Sequence, residues 1–273
     1  AIKAYERLSL HHINKGDHHQ SMHYVEKGLL YAGNREGDGH VILLYLQKIQ
    51  ALLLENSIDK ARENLEIVFD ILSRSSKSEE YWGLVYSTIA YLMEMEGDFE
   101  QAISYYQKAF NYSSKKLNYL DSYKALNNMG NLYNIELKQA QKALNCYQES
   151  IEYLHLLGDH IGLATVYNNM GNLYLKQSNY KDAIESFHNG FKALSSDFSD
   201  TLWFKNPTSE HLRSVGHEQI TFSLNYNKAE TFLKYYLDEG NQDYLEVALE
   251  TFKLADLSIN LMRWNQRHDE SKL

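Results

Sequence analysis

Six asparagines stand in two matched settings. The segment Asn127-Asn128-Met129-Gly130-Asn131-Leu132-Tyr133 returns letter for letter as Asn168-Asn169-Met170-Gly171-Asn172-Leu173-Tyr174, 41 residues later. A side-chain amide both donates and accepts, so a ladder of amides can hold the backbone of an extended peptide without reading its side chains. Asn is also a mediocre helix former, and six of them in matched helical places cost propensity. The plainer use of any single one is to be solvated or to tie neighbouring helices together. Lys124 and Lys176, a few residues away, could take a carboxylate.

Other reactive residues point to no catalytic chemistry. His11, His12, His18, His19 and His23 straddle one turn, and His19 and His23 share a helical face. A structural zinc site wants four ordered ligands, so a solvated polar turn is expected and no metal is assigned. Cys146, the single cysteine, lies beside Tyr147 with no His within a turn on its face to lower its pKa. It reads as a small apolar core residue, not a reactive thiol. No Ser-His-Asp order, no acid pair with a cleft and no Gly-rich phosphate loop stands out. No cofactor is expected and no enzyme activity is assigned to these residues.

The elements that position the asparagines follow from the repeat. Stepping 40 or 41 residues from Gly130 places a small residue at Ser21, Ala61, Ala102, Ala143 and Ala183, with Val25, Leu65, Tyr106, Tyr147 and Phe187 four positions on. Tyr5, Tyr45, Tyr86, Leu126 and Tyr167 open the alternate segments. Small residues suit the close crossing of two helices, and large ones one turn away fill the adjoining groove. Gly130 and Gly171 are expected at the tightest crossings. Lys15-Gly16-Asp17, Glu96-Gly97-Asp98 and Leu157-Gly158-Asp159 each supply a glycine stop followed by an Asp N-cap, and Asn56-Ser57 and Ser178-Asn179 do so with polar caps. Periods of this size mean stacked helical pairs. Helices are expected at about 2–15, 18–32, 39–55, 58–74, 79–96, 99–114, 119–137, 139–156, 160–177 and 180–195, to within a few residues.

These five hairpins occupy 1–195. Residues 196–212, with the single proline (Pro207), Trp203 and Phe204, break the rhythm and are read as an irregular insertion. A sixth, atypical hairpin is expected over 213–265, and 266–273 as the start of a linker to a further domain. The fold class is therefore all-α, a right-handed superhelix of about six hairpins. The chain opens at Ala1 inside a helical pattern, which suggests a piece of something longer.

Bulk composition agrees. In 273 residues there are 22 Tyr, 14 Gly and one Pro, suited to a groove-rich helical protein. A net charge of −9 with no basic cluster argues against nucleic acid, whose binding needs gathered Lys and Arg. No apolar run of membrane length and no signal-peptide pattern is present, so no membrane role is assigned and a cytoplasmic setting is expected.

The small-Gly-x-x-Tyr spacing, the later Ala and the aromatic four residues on resemble the tetratricopeptide repeat (TPR), in the longer variant also seen in kinesin light chains. The resemblance covers nearly the whole chain and is weakest in the first unit, where Ser9 and Ser21 stand in for the small residues. A narrower likeness, carried by Ala248-Leu249-Glu250-Thr251-Phe252-Lys253-Leu254-Ala255-Asp256-Leu257, Arg263 and the Glu270-Ser271-Lys272-Leu273 end, is to the last repeat before the protease domain of bacterial CHAT proteins, a caspase-like family. The caspase-like Cys-His dyad is not in these residues. In such stacks the first helices line the concave side. This makes Asn127, Asn128, Asn131, Asn168, Asn169 and Asn172 candidate groove residues, with Gln47, Gln50, Tyr91 and Asn227 extending the set and Lys124 and Lys176 beside it. What the resemblance implies is a non-catalytic scaffold for a protein or peptide ligand, the sensor or docking arm of a caspase-like protease carried in the same chain. The alternative is a ligand-sensing regulator like the helical-repeat receptors of bacterial peptide pheromones.

Overall fold

The structure, a computed structural model, describes residues 1–33, 39–74, 78–195, 197–198, 200–215 and 217–270. Among these residues there are thirteen α-helices and no strand. The first six form three antiparallel pairs: α1 (Ile2–Asn14) with α2 (His18–Ala32), α3 (Gly39–Leu54) with α4 (Ile58–Arg74), and α5 (Trp82–Met95) with α6 (Phe99–Lys115). After them come α7 (Tyr119–Ile135), α8 (Ala140–Leu157), α9 (His160–Lys176) and α10 (Tyr180–Leu194). The chain ends in a short α11 (Ser209–Val215) and the long α12 (Glu218–Glu239) and α13 (Gln242–Glu270). Two compact units, Ala1–Leu132 and Tyr133–Leu273, divide the chain within α7.

Inside each unit the small-plus-large register carries the packing. Ser21, Ala61 and Ala102 in the first unit and Ala143 and Ala183 in the second are all fully buried, as are Val25, Tyr147 and Phe187, with Leu65 and Tyr106 nearly so. In the first hairpin the serines that replace the usual small residues are also buried and hydrogen-bond each other, Ser9 Oγ to Ser21 Oγ at 2.9 Å. A lone buried hydroxyl would cost its desolvation, and pairing two removes that cost. Gly171 lets α9 approach α10 so closely that a Cβ built there would overlap the Phe187 ring.

The turns repeat one local solution. Gly16, Gly97 and Gly158 take positive φ, and the next residue, Asp17, Asp98 or Asp159, caps the following helix by accepting from Gln20, Gln101 or Gly162 N–H at 3.0, 3.2 and 2.9 Å. Each such N-cap is worth about 1 kcal/mol. The N–H of each Asp also reaches back to a carbonyl five residues earlier, His12, Met93 and Leu154, which closes the preceding helix in a Schellman motif. Asn56, Leu117, Lys138 and Ser178 adopt the same left-handed geometry without glycine. Leu117 precedes Asn118, whose Oδ1 accepts from Asp121 N–H at 3.2 Å and caps α7.

Several boundaries differ from the sequence reading. A 3-10 turn at Ser78–Glu80 precedes α5, which begins at Trp82 and not at 79. Residues 209–215 form α11 because Thr208, directly after Pro207, caps it: its Oγ1 accepts from His211 N–H at 3.3 Å. The long helix of the last pair then starts at Glu218, five residues later than expected from 213. The final helix continues through 270, beyond the expected end at 265. Residues 196 and 199 of the insertion and 271–273 of the chain end lie outside the described residues.

Candidate functional site

Helix α5 carries Leu84, Ser87, Thr88, Tyr91 and Glu94 at i, i+3, i+4, i+7 and i+10, one stripe along one face. Helix α7 carries Asp121, Lys124, Asn128 and Asn131 at i, i+3, i+7 and i+10. The two stripes, with Gln50 of α3 and the hydroxyl-bearing Tyr106 of α6, line a cavity of about 360 Å³ within the first unit. Tyr91, Lys124, Asn128 and Asn131 of the sequence-derived set converge here. Asn127, one residue off the stripe, is half-buried outside the cavity lining.

Tyr106 joins the core to the cavity. Its ring is buried, and its hydroxyl donates to Glu94 Oε2 at 3.1 Å. Burial, then the Glu94 charge and this hydrogen bond, hold the phenol well above its ordinary pKa, while a hydrogen bond with Asn128 acts the other way. Tyr91 is raised by burial and by the same carboxylate. Asp121 is also raised, by burial, against the opposing effects of Lys124 and of Asn118, whose Nδ2 donates to Asp121 Oδ2 at 2.7 Å. The wall therefore offers phenols that remain donors at neutral pH, amides, and an acid–lysine pair beside a second acid.

In the second unit the corresponding stripe on α9 contains Asn169 and Asn172, both half-buried. Asn168 and Asn227 are brought together, Asn227 Nδ2 donating to Asn168 Oδ1 at 2.9 Å. That bond ties α12 to α9, the plainer use of an asparagine. Lys176 is exposed, its Nζ 3.5 Å from Asn134 Oδ1. Gln47, expected to extend the groove, is instead buried on α3. Leu44 and Leu52 beside it belong to the core of the first unit, Ala51 is also buried, and its helix is apolar around most of its circumference. Periodicity alone cannot tell an inward polar residue from an outward one on such a helix.

Sequence reasoning missed Glu94 and Asp121. The signal for Glu94 was available in Met93-Glu94-Met95, an acid flanked by apolar residues inside a nearly uncharged helix. For Asp121 the signal was its place three residues after an Asn N-cap. Elsewhere, His12 stacks on Tyr24 and meets His11 edge-on. Among the described residues no group of three or more His, Cys, Asp or Glu is placed to hold a metal, and no helix is long and apolar enough to cross a membrane. Cys146 is buried, and burial with Glu149 nearby pushes its thiol up to about 11, which keeps it protonated and unreactive.

Residues 85–116 and 121–188 match sequence models of the tetratricopeptide repeat. No curated protein matches the chain. Among solved structures, BtubC (BKLC) from P. vanneervenii superposes with a TM-score of 0.62 at 16% identity, over 94% of this chain and 92% of that one. Aspartyl phosphate phosphatase F from Bacillus subtilis gives 0.58 at 13% identity over 90% and 68% of the two chains. Pseudomonas aeruginosa pilF gives 0.51 at 15% identity over 91% and 97%. At these identities the likeness is one of fold. The chain is an array of helical hairpins, of which residues 85–116 and 121–188 match the tetratricopeptide repeat.

Proposed function

We propose that this scaffold takes an extended peptide, or an extended segment of a partner protein, against the faces of its first helices, and that it does so without catalysis. The observation that carries the reading is the convergence of Tyr91, Lys124, Asn128 and Asn131 on one polar cavity. Amides and phenols along two helices match the donors and acceptors of a peptide backbone, which needs no particular side-chain sequence. Asn169 and Asn172 on α9 serve in the same way within the second unit.

At finer grain, the scaffold is the sensor or substrate-docking arm of a CHAT-type caspase-like protease, on the resemblance carried by Ala248–Leu257 and Arg263. Ala248, Thr251 and Ala255 of that stretch are buried, a packing role that by itself serves any last hairpin. A caspase-like domain with its Cys-His dyad, encoded downstream in the same reading frame, would support this assignment. A different effector domain there would remove it.

Binding is tested by selecting a displayed library of random dodecapeptides on the immobilised chain and measuring the winners by fluorescence polarisation. Replacing Asn131 and Asn172 together by Ala should leave the fold intact, since Ala favours the helix. For a peptide held by Asn131 in the first unit, or by Asn172 in the second, affinity should fall about two- to tenfold, from one neutral hydrogen bond of about 0.5–1.5 kcal/mol. Full-strength binding by the folded double variant would place the partner elsewhere. A selection that enriches nothing would sink the scaffold reading.

A further inference from the structure

We infer that Lys228 is a concealed anchor for a carboxylate: an acidic segment of a partner lies in the groove between residues 204–208 and α13, and its Asp or Glu takes the place of the Lys205 carbonyl. The site lies in the second unit and shares no residue with the cavity lined by α5 and α7. It adds a second ligand chemistry to the peptide-binding reading above and does not depend on it.

The buried donors behind residues 204–208 outnumber the acceptors the chain offers them. Lys228 is fully buried, and among the described residues its Nζ has one hydrogen bond, to the Lys205 carbonyl, and no ion pair. An ammonium carries three N–H groups, so two lack an acceptor. The carboxylate in whose field it stands, Asp200, is turned to its own loop, Oδ1 accepting from Leu202 N–H at 2.9 Å. Burial outweighs that field and lowers the Lys228 pKa, the sign of a counter-charge that falls short. Asn225, one turn earlier on the same helix, is also fully buried, and neither polar atom of its amide has a partner. Buried polar atoms are nearly always paired, so two such residues a turn apart are an exception that a bound acceptor would resolve. A carboxylate supplies about four acceptor sites, and its bonds to an ammonium are charge-assisted, roughly twice as strong as neutral ones.

The way in is already formed. The groove, about 570 Å³, is walled by Phe204, Pro207, Val247 and Leu254 and carries Lys205 and Lys253 against one acid, Glu250. Apolar walls with a cationic surplus suit a segment in which an acid is flanked by apolar residues. The Lys205 peptide unit separates this groove from Lys228, since its residue lines the groove while its carbonyl accepts from Nζ. Lys205 lies in neither helix nor strand, so moving its carbonyl aside breaks no helical or ladder bond. The rest of the wall stays fastened: Asn206 Nδ2 donates to Thr251 Oγ1 at 2.8 Å, Trp203 stacks on Phe232, and His188 holds the Asp200 carbonyl. The exchange is therefore local.

The test uses dodecapeptide pools free of Lys and Arg, their central residue fixed as Glu, Gln or Leu, each measured on the whole chain. The Glu pool should bind roughly tenfold or more tightly than the Gln pool, and it should accelerate tryptic cleavage after Lys205, because the displaced carbonyl frees that bond. Lys228→Met, its fold checked by thermal melts, should bind the three pools alike. Asn131→Ala with Asn172→Ala should keep the Glu preference, which marks the site as separate. Equal binding of the Glu and Gln pools by the whole chain, or no gain in cleavage with the Glu pool, would overturn the inference, and these two arms decide even if Lys228→Met does not fold. A Glu preference retained by folded Lys228→Met would also overturn it, assigning the acid to Lys205 or Lys253 at the surface. A preference lost in the asparagine double variant would do so by moving the acid to the first-helix faces.

Discussion

The Tyr106 hydroxyl donates to Glu94 across the α5–α6 hairpin, and in the next copy of the motif the Tyr147 hydroxyl again pairs with a first-helix side chain, Asn134. The partner stands on the first helix, twelve residues before the tyrosine in one copy and thirteen in the other. Where the knob lacks a hydroxyl the residue twelve positions before it is apolar, Leu175 before Phe187 and the buried Leu53 before Leu65. A buried hydroxyl without a partner costs about 1–3 kcal/mol, so each of the two buried tyrosine knobs needs one.

Tyr106→Phe should therefore destabilise the chain by about 1.5–3 kcal/mol, the range for a hydrogen bond to a charged group, and Tyr147→Phe by about 1 kcal/mol, since Asn134 is neutral. Urea midpoints at unchanged m-value measure both. Equal losses would show that the charge on Glu94 adds nothing.

Gly171→Ala should cost about 1–3 kcal/mol despite the better helix propensity of Ala, because the new Cβ meets the Phe187 ring. Shrinking the ring should relieve the clash: Gly171→Ala with Phe187→Leu should recover part of the loss, as judged against Phe187→Leu alone in a double-mutant cycle. A coupling of zero would mean that the crossing adjusts elsewhere.

Leu117 holds a left-handed backbone, φ 56°, with its side chain exposed. That conformation costs a non-glycine residue about 1–2 kcal/mol, partly offset by the extra freedom a glycine has when unfolded. Leu117→Gly should raise stability by about 0.5–1 kcal/mol, seen as a higher melting temperature.

Lys228 on α12 is fully buried, its Nζ donating to the Lys205 carbonyl at 2.5 Å. Burial lowers its pKa to about 7, against the opposing pull of Asp200. Between pH 7 and its ordinary value the unfolded chain binds this proton and the folded chain does not, so stability should rise with pH across that window, by at most about 1.4 kcal/mol per unit. His188, lowered by burial and held by its Nε2 contact to the Asp200 carbonyl at 2.7 Å, acts with the same sign below its ordinary pKa and adds to the loss on acidification. Lys228→Met should flatten the rise above pH 7. Denaturation midpoints at pH 7 and 9, with and without the substitution, measure it, and an undiminished slope in the variant would assign the effect to other groups.

The repeat was legible because identity at Asn127–Tyr133 and Asn168–Tyr174 fixes a period, and the period then finds each small residue and its knob without further knowledge. Gly-Asp turns were legible for the same reason, each residue announcing its backbone need. Leu117 and Lys138 were not, since neither residue type signals a left-handed turn and the geometry is imposed by the helices on either side. The cavity was half legible. Asn128 and Asn131 stand out by repetition, whereas Glu94 matters through its neighbours Tyr91 and Tyr106, a relation made only by folding. Gln47 and Lys228, polar residues placed inward, are the residues that pattern reading misassigns or passes over.

Among the described residues between α10 and α11 none lies in a helix or strand, yet Phe198 is buried against Phe191 and His211, Pro207 is buried, and the carbonyls of Asp200 and Lys205 are held from two helices by His188 and Lys228. A protease must draw a run of residues into extended form before cutting, and here that requires releasing both tethers. Trypsin offered the native chain should therefore leave the bond after Lys205 intact although the side chain is exposed. Cleavage there should accelerate in Lys228→Met, reporting how firmly an irregular segment can be fastened by two side chains.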